Sequence, residues 1–172
     1  MSDHDDSREV SYPDVRQDFA IAVEQRDGLT VVTARPAGPA PRCYELFCDA
    51  DLIPNWLWVV GKAVVQQRDD RGRALLVDFI GSLERASIAY TLAYSYDDAQ
   101  REVQWHRVGG GVRNLAGSAR FLPGDDGRCS LVYTLTSELS DSLPAWADEL
   151  YRLRPAETVV IDFCEWLEAS QG

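Results

Sequence analysis

Short strand-like segments separated by very brief turns fill the middle of the 172-residue chain. Each segment is rich in β-branched and aromatic residues and ends near Asp, Gly or Gln. Strands joined by such short connections cannot be parallel, because a parallel crossover needs about a dozen residues or more. The middle of the chain therefore predicts an antiparallel meander. The predicted strands are 63–68, 74–80, 85–96, 102–108, 115–122 and 129–139, with turns at 69–72, near Gly81, and at 97–100, 109–111 and 124–127.

Period-two alternation predicts which face of this sheet is buried. In segment 85–96 the bulky residues lie on one face and small residues lie on the other. The predicted inner face consists of Ile88, Tyr90, Leu92, Tyr94 and Tyr96, then Val103, Trp105 and Arg107, then Gly117, Ala119 and Phe121, and finally Leu131, Tyr133 and Leu135. Tyrosine hydroxyls need hydrogen-bond partners, so several inward tyrosines favour a space with some polar content. Alternatively, the hydroxyls reach out at the rim of the sheet.

The N-terminal region predicts a tail followed by an edge of the sheet. Residues 1–18 are acidic and polar with little periodicity, which indicates a flexible tail before one domain spanning 19–172. Apolar residues alternate from Phe19 to a turn at Asp27 and Gly28. The following residues, 29–34, are either the second strand of a hairpin or the continuation of one bent edge strand.

Residues 41–58, which read PRCYELFCDADLIPNWLW, predict two short helices. Pro41 can take the first helical position, where its missing N–H costs nothing. Tyr44, Phe47 and Cys48 then recur at helical spacing. The first helix is therefore amphipathic.

A second short turn leads into two tryptophans. Pro54 is expected to close or kink this turn. Trp56 and Trp58 follow at once, and side chains of this size bury most of their area. Both tryptophans can be core packing, or one of them can line a cavity.

The C-terminal segment 143–170 predicts a long helix. Its apolar stripe consists of Trp146, Leu150, Leu153, Val160, Cys164 and Leu167, and Glu157 interrupts it. Pro155 kinks or divides the helix, but the stripe keeps its phase across the proline, which favours one kinked helix. The stripe must be buried, and the inner face of the curved sheet is the available surface.

Charge and composition exclude several classes of partner. The apolar fraction of 45% is ordinary for a globular protein, and the net charge of −11 argues against a nucleic-acid partner. The N-terminus lacks the basic and apolar regions of a secretory signal, and no apolar run approaches the length of a membrane span. We therefore predict a cytoplasmic protein with no integral membrane association. The sequence assigns no oligomeric state.

The four cysteines predict no redox or metal chemistry. Cys43, Cys48, Cys129 and Cys164 form no CxxC pair and have no nearby histidine in the sequence. They are typical of small buried side chains in a reducing compartment. We predict no metal and no other cofactor.

The order of elements resembles the helix-grip fold of the START-related superfamily (SRPBCC). Within it, the chain resembles the polyketide cyclase/dehydrase-like, coenzyme Q-binding-like group. The resemblance covers about residues 29–167 and depends on PRCYELFCDADLIPNW at 41–56, VQWHR at 103–107, GGGVRNLAGSARF at 109–121 and CSLVYTL at 129–135. The extended N-terminal hairpin and the proline inside the last helix depart from the simplest members.

This resemblance implies an α+β architecture with a ligand cavity. The expected fold is a curved antiparallel sheet of about six or seven strands wrapped around a long C-terminal helix, with two short helices after the first strand. The family implies a cavity between sheet and helix that binds lipids, polyketides, sterols or other hydrophobic molecules, and in some members performs chemistry on them.

Few residues are candidates for catalysis. His4 lies in the predicted tail, and the strand phase of His106 points it outward, so a Ser-His-Asp triad has no buried histidine. Arg107 shares the inward phase of Trp105 and could hold a carboxylate or stabilise an enolate. Alternatively, Arg107 extends to solvent at the end of its strand.

Three functions are compatible with these patterns. The first is a carrier or sensor of a hydrophobic small molecule (lipid, polyketide or quinone-like), with a cavity lined by Trp56, Trp58, Phe79, Tyr90, Tyr94, Trp105, Arg107, Phe121 and Tyr133. The second is a polyketide aromatase/cyclase in which Arg107 and a tyrosine such as Tyr90 or Tyr133 polarise carbonyls. The third is a chaperone-associated protein-interaction module, which a collapsed cavity beside a large exposed apolar patch would favour.

Overall fold

The computed structural model describes residues 19–57, 60–83, 86–110, 112–139 and 155–170. Within these ranges the strands are β1 (Ala22–Arg26), β2 (Leu29–Ala34), β3 (Val60–Arg68), β4 (Ala74–Leu83), β5 (Ala86–Asp97), β6 (Glu102–Gly110), β7 (Val112–Leu122) and β8 (Ser130–Leu139). The helices there are α1 (Ala40–Cys48), a 3₁₀ turn (Ala50–Leu52), α2 (Ile53–Trp56) and α3 (Pro155–Ser170). The predicted tail 1–18, Trp58, and the first half of the predicted C-terminal helix lie outside the described residues.

All eight strands belong to one antiparallel sheet with the order β1-β2-β8-β7-β6-β5-β4-β3. Only the β2–β8 pairing joins strands that are not consecutive in the chain, so the sheet is a meander closed by one crossover. The predicted α+β helix-grip architecture is confirmed. The described sheet has eight strands rather than six or seven, because both arms of the N-terminal hairpin join it.

A tight hairpin connects β1 and β2. Arg26 pairs with Leu29, so the loop consists of Asp27 and Gly28 alone. Their φ angles of 49° and 80° are both left-handed, as a type I′ turn requires. This geometry selects the hairpin over the single bent strand.

The predicted turn at 109–111 is wrong for its first two residues. Strand β6 continues through Gly110, which pairs with Tyr90 of β5. Gly110 has a φ of 102°, and a Cβ there would lie 2.4 Å from the Ala89 carbonyl oxygen. Glycine therefore serves here to bring two strands close together, which sequence alone does not distinguish from a turn. Gly111 lies outside the described residues.

A bulge in β6 precedes this close approach. Leu92 pairs with Arg107, but Thr91 pairs with Gly109, so Val108 is the extra residue. Val108 is exposed. Arg107 keeps the inward phase of the strand.

The registers align the inner-face residues in rows that run across the sheet. One row is Tyr94, Trp105, Gly117, Leu135 and Thr30. The next row is Tyr96, Val103, Ala119, Tyr133 and Val32. Burial alternates along β6 and β8 as the strand phase predicts, and His106 on the opposite face is exposed.

Helices α1 and α2 cross beneath one end of the sheet, which we call the floor end. The contacts that fix this path are the bridge Ala37↔Arg128, the hydrogen bond from Tyr44 Oη to Asp98 Oδ1 (3.0 Å) and the hydrogen bond from Arg68 Nη2 to Asp51 Oδ2 (2.9 Å). The opposite end, which holds Phe79 and Gly110, is the upper end.

Both prolines in this segment lie within the first turn of a helix. Helix α1 begins at Ala40, so Pro41 is its second residue rather than its first. Pro54 is the second residue of α2 and begins this helix instead of closing it. Proline is tolerated at these positions because backbone N–H groups in the first turn have no partner within the helix.

Helix α3 packs against β2 and β8 on the inner face. Its buried stripe contains Ala156, Val160, Phe163, Cys164 and Leu167. At the floor end, Arg128 Nη2 donates to Glu168 Oε1 and ties the last turn of α3 to the β7–β8 connection. None of the helices in the described ranges is both long and apolar enough to cross a membrane.

Candidate functional site

An aromatic cluster fills the floor end of the space between the sheet and α3. Phe47 of α1 lies at its centre, because the amphipathic helix directs this ring upward against the sheet. The ring-centroid distances from Phe47 are 5.7 Å to Trp56, 6.0 Å to Trp105, 5.6 Å to Phe121, 6.3 Å to Tyr133 and 5.2 Å to Phe163. All six side chains are buried. Trp56 and Phe121, both predicted to contact ligand, thus lie in a packed core.

Trp56 is held in this cluster by packing. Its ring centroid lies 5.1 Å from that of Phe163 in an edge-on arrangement. The indole Nε1 is buried and has no hydrogen-bond acceptor among the described residues. An unsatisfied buried donor costs about 1–3 kcal/mol, so the surrounding rings must offset that cost.

The inner face is less tightly packed toward the upper end. Phe79 is buried and stacks on Tyr90 at a centroid distance of 5.5 Å, while Tyr90 itself is half-buried. Tyr94 lies 6.3 Å from Trp105, and Trp105 lies 5.4 Å from Tyr133. The predicted aromatic residues therefore form one continuous wall from floor to upper end.

The Tyr94 side chain is strongly desolvated but keeps some solvent-accessible surface. Burial raises the pKa of Tyr94 well above its ordinary value, with smaller contributions from Tyr90 and other neighbouring groups. Its side chain is nevertheless half-buried, and no described residue makes a hydrogen bond to its hydroxyl. Because Tyr94 shares a row and a face with buried Trp105, we infer that its accessible surface faces the space beneath α3.

Gly117 makes room for Trp105 within this wall. A Cβ at Gly117 would lie 2.6 Å from Trp105 Cζ2 and 2.5 Å from the Thr134 carbonyl oxygen. Only glycine leaves this space free, so the indole can extend from β6 across β7 toward Tyr133.

One of the predicted inward tyrosines, Tyr96, has a hydrogen-bond partner for its hydroxyl at the rim of the wall. Tyr96 Oη donates to the Ala74 carbonyl oxygen at 2.5 Å, and the Arg73 guanidinium lies 4.3 Å from the Tyr96 ring centroid. Arg73 and Tyr44 also donate to Asp98, and the Arg73 hydrogen bond holds the pKa of Asp98 below its usual range. The predicted alternative, a hydroxyl at the rim, therefore applies to Tyr96.

Arg107 and Tyr133 differ in position along the space. Arg107 is half-buried, has the inward phase, and pairs with Leu92 toward the upper end. Tyr133 is 4% exposed, and its ring belongs to the floor cluster. Among the predicted site residues, the polar groups on the inner face are the Arg107 guanidinium and the hydroxyls of Tyr90, Tyr94 and Tyr133.

The prediction missed Glu157, a buried carboxyl group in the first turn of α3. Glu157 is 4% exposed and continues the stripe of Val160, Cys164 and Leu167. The signal was present in the sequence, because an acidic residue on an apolar helical stripe must face the buried side.

The cysteines are packing residues in this fold. Cys43, Cys129 and Cys164 are fully buried, and all four cysteines are free thiols. Burial raises the pKa of Cys48 and of Cys164 to about 12. Neither thiol is therefore an activated nucleophile.

Comparison with solved structures identifies the same architecture elsewhere. A START superfamily protein from Mycobacterium smegmatis superposes with a TM-score of 0.71 at 15% identity, covering 82% of this chain and 97% of that one. The Zhui aromatase/cyclase from Streptomyces sp. R1128 gives 0.69 at 17% identity, covering 83% and 93%. The di-domain ARO/CYC BexL gives 0.59 at 13% identity, covering 80% of this chain and 45% of that one.

Sequence comparison alone does not detect these relationships. No protein-family model matches the chain, and no curated protein matches it significantly. The superpositions each cover at least 80% of the chain. The chain therefore has the START-like helix-grip fold.

Proposed function

We propose that the protein binds a hydrophobic small molecule between the inner face of the sheet and α3. The observation that supports this most directly is Tyr94, an inward tyrosine with accessible surface and a hydroxyl that no described residue engages. Buried hydroxyls in a structural core are normally hydrogen-bonded, so these two features together favour a space that a ligand can enter. An apolar space with a few polar groups is the usual form of a small-molecule site.

In this proposal, some wall residues make apolar contacts with the ligand and others make polar contacts. Phe79, Tyr90, Tyr94 and Trp105 supply apolar and aromatic contact, with Trp58 as a further predicted lining residue. Arg107, Tyr94 and Tyr133 supply polar contacts. Trp56 and Phe121 form the base against which the ligand rests.

The structural neighbours support this ligand class. Their names include a START superfamily protein and two aromatase/cyclases, and the fold resemblance implies lipids, polyketides or quinone-like molecules. We further propose a cytoplasmic location without membrane or nucleic-acid partners, since the cysteines are free and the net charge is −11.

Native mass spectrometry of the purified protein, followed by calorimetric titration, tests the binding function. We expect a co-purifying ligand, or saturable binding of at least one apolar probe among a fatty acid, a sterol, a quinone and a polycyclic phenol. Tyr94→Ala should weaken that binding several-fold, while Ser95→Ala on the outer face should not. No bound mass and no titratable probe would contradict the proposal.

Arg107 supports a second candidate, an aromatase/cyclase. A half-buried guanidinium on the inner face could stabilise an enolate, while the Tyr133 hydroxyl donates to the carbonyl under attack. Cyclisation of a poly-β-ketone thioester mimic should then fall at least tenfold in Arg107→Ala and in Tyr133→Phe. Arg120→Ala, an exposed arginine on the outer face of β7, is the matched control. Unchanged turnover in Arg107→Ala and Tyr133→Phe would contradict the catalytic roles proposed for Arg107 and Tyr133.

A further inference from the structure

Glu157 is a buried charged side chain, and no other is found among the residues whose burial the structure describes. Removing a carboxylate from water is costly unless it is paired or hydrogen-bonded. Glu157 has a partner within the protein, but even a paired buried carboxylate can often be replaced by apolar residues without loss of stability. The retained carboxyl group therefore points to a role on the inner face beyond packing.

Glu157 lies at the end of α3 that is remote from the floor. Glu168 in the last turn is tied to Arg128 at the floor end. Glu157 lies eleven positions before Glu168, so its carboxyl group lies about 16 Å back along the helix axis, away from the floor end. The same distance spans about five residues of β8, which reaches Tyr133 and Leu135. Leu135 shares its row with Trp105 and Tyr94.

The chemistry of this position favours a ligand that donates a hydrogen bond. An ionised carboxylate only accepts hydrogen bonds, and it offers several acceptor positions. The first turn of α3 favours negative charge through the helix dipole, and Arg107 of β6 supplies a cation with the inward strand phase. A donor from the ligand can therefore be added to whatever contacts the carboxylate already makes within the protein.

We propose that the bound molecule is largely apolar but carries a hydroxyl group, and that this hydroxyl donates a hydrogen bond to the Glu157 carboxylate. This inference rests on the proposed binding function and adds a selection rule to it. The site then prefers a hydroxylated ligand over an unsubstituted or methylated one of the same size.

Isothermal titration calorimetry with 2-naphthol and 2-methylnaphthalene tests this rule. The two probes match in size and differ in the donor, and the methyl compound is the more apolar. We expect the wild-type protein to bind the naphthol about tenfold more tightly, as a hydrogen bond to a charged acceptor provides. Glu157→Met should abolish or reverse that preference, and Glu165→Met, exposed on the same helix, should retain it.

Each result decides between the two proposals. Equal binding of both probes by the wild-type protein overturns the hydroxyl rule and leaves hydrophobic binding intact. A naphthol preference that persists in Glu157→Met also overturns the rule. Binding of neither probe overturns the hydroxyl rule, and the proposed binding function is contradicted only if the fatty acid, the sterol and the quinone also fail to bind. If Glu157→Met does not fold, Glu157→Gln provides the comparison, with the preference expected to fall several-fold.

Discussion

The floor and upper ends of the inner face are built from similar residues but are packed differently. At the floor, Phe47 contacts five other rings, and all six are buried. Toward the upper end, Tyr90, Tyr94 and Arg107 share the same inward phase yet remain half-buried. Inward direction is therefore a property of strand phase, whereas complete burial also requires other side chains to pack over the residue.

Phe47→Ala should have the largest effect, because it removes the central ring of the floor cluster. We expect the free energy of unfolding to fall by about 3–5 kcal/mol, as for other buried phenylalanines. Tyr90→Ala at the upper end is the matched variant and should cost clearly less. Urea denaturation measures both losses, and equal losses would show that the two ends are packed alike.

Gly117→Ala should disturb the junction between the two ends. The new Cβ would meet Trp105 Cζ2 and the Thr134 carbonyl oxygen, so the indole or the strand must shift. We expect a loss of about 1–3 kcal/mol in stability, with a changed near-ultraviolet circular dichroism spectrum. Gly109→Ala is the control, because no atom lies within 4 Å of a Cβ there. A neutral Gly117→Ala would mean that Trp105 is not confined.

Asp98→Asn should weaken the rim of the floor in a pH-dependent way. Arg73 holds the pKa of Asp98 below its usual range in the folded protein, so its stabilisation is full above about pH 4 and is lost as pH falls through the folded-state pKa. Because the Asp98 side chain is 43% exposed, the loss at pH 7 should be no more than about 1 kcal/mol.

Unfolding at several pH values measures this contribution. The difference between wild type and Asp98→Asn should shrink from pH 6 toward pH 3. Asp70→Asn, which changes an exposed carboxylate in the β3–β4 turn that also holds Arg73, should show no such trend. A difference that is constant with pH would assign the effect to packing rather than charge.

Two tyrosine-to-phenylalanine changes should have the smallest effects on stability. They compare a hydroxyl that is hydrogen-bonded at the rim with one that is accessible on the inner face. Tyr96→Phe removes the hydrogen bond to the Ala74 carbonyl oxygen and should cost about 1 kcal/mol. Tyr94→Phe removes a hydroxyl that no described residue engages and should change stability by less than about 0.5 kcal/mol. Thermal unfolding compares them. A larger loss in Tyr94→Phe would contradict an accessible hydroxyl.

Strand phase made much of this fold predictable from the sequence. Alternation along β6 correctly placed Trp105 inward and His106 outward, since the side-chain period of two is fixed by backbone geometry. Brief connections correctly predicted the antiparallel meander. These properties are local, and a single sequence encodes them directly.

Long-range packing was beyond such patterns. Trp56 and Phe121 have the composition of a ligand wall, but Phe47 and Phe163 arrive from distant segments and bury them. Gly110 was mistaken for a turn because its close neighbour, Ala89, is remote in sequence. Glu157 was visible as a break in the stripe, and its significance depended on knowing what α3 faces.

The free edges of the sheet have a consequence for how the protein behaves at high concentration. In the described sheet, β1 and β3 each pair on one side only. Strand β3 contains register shifts next to Lys62 and at Gln67, and β1 is five residues long with Glu24 and Arg26. An irregular or charged edge offers a poor template for a strand from another molecule. The same irregularities that look like imperfect pairing within the sheet thus protect an open fold from edge-to-edge aggregation.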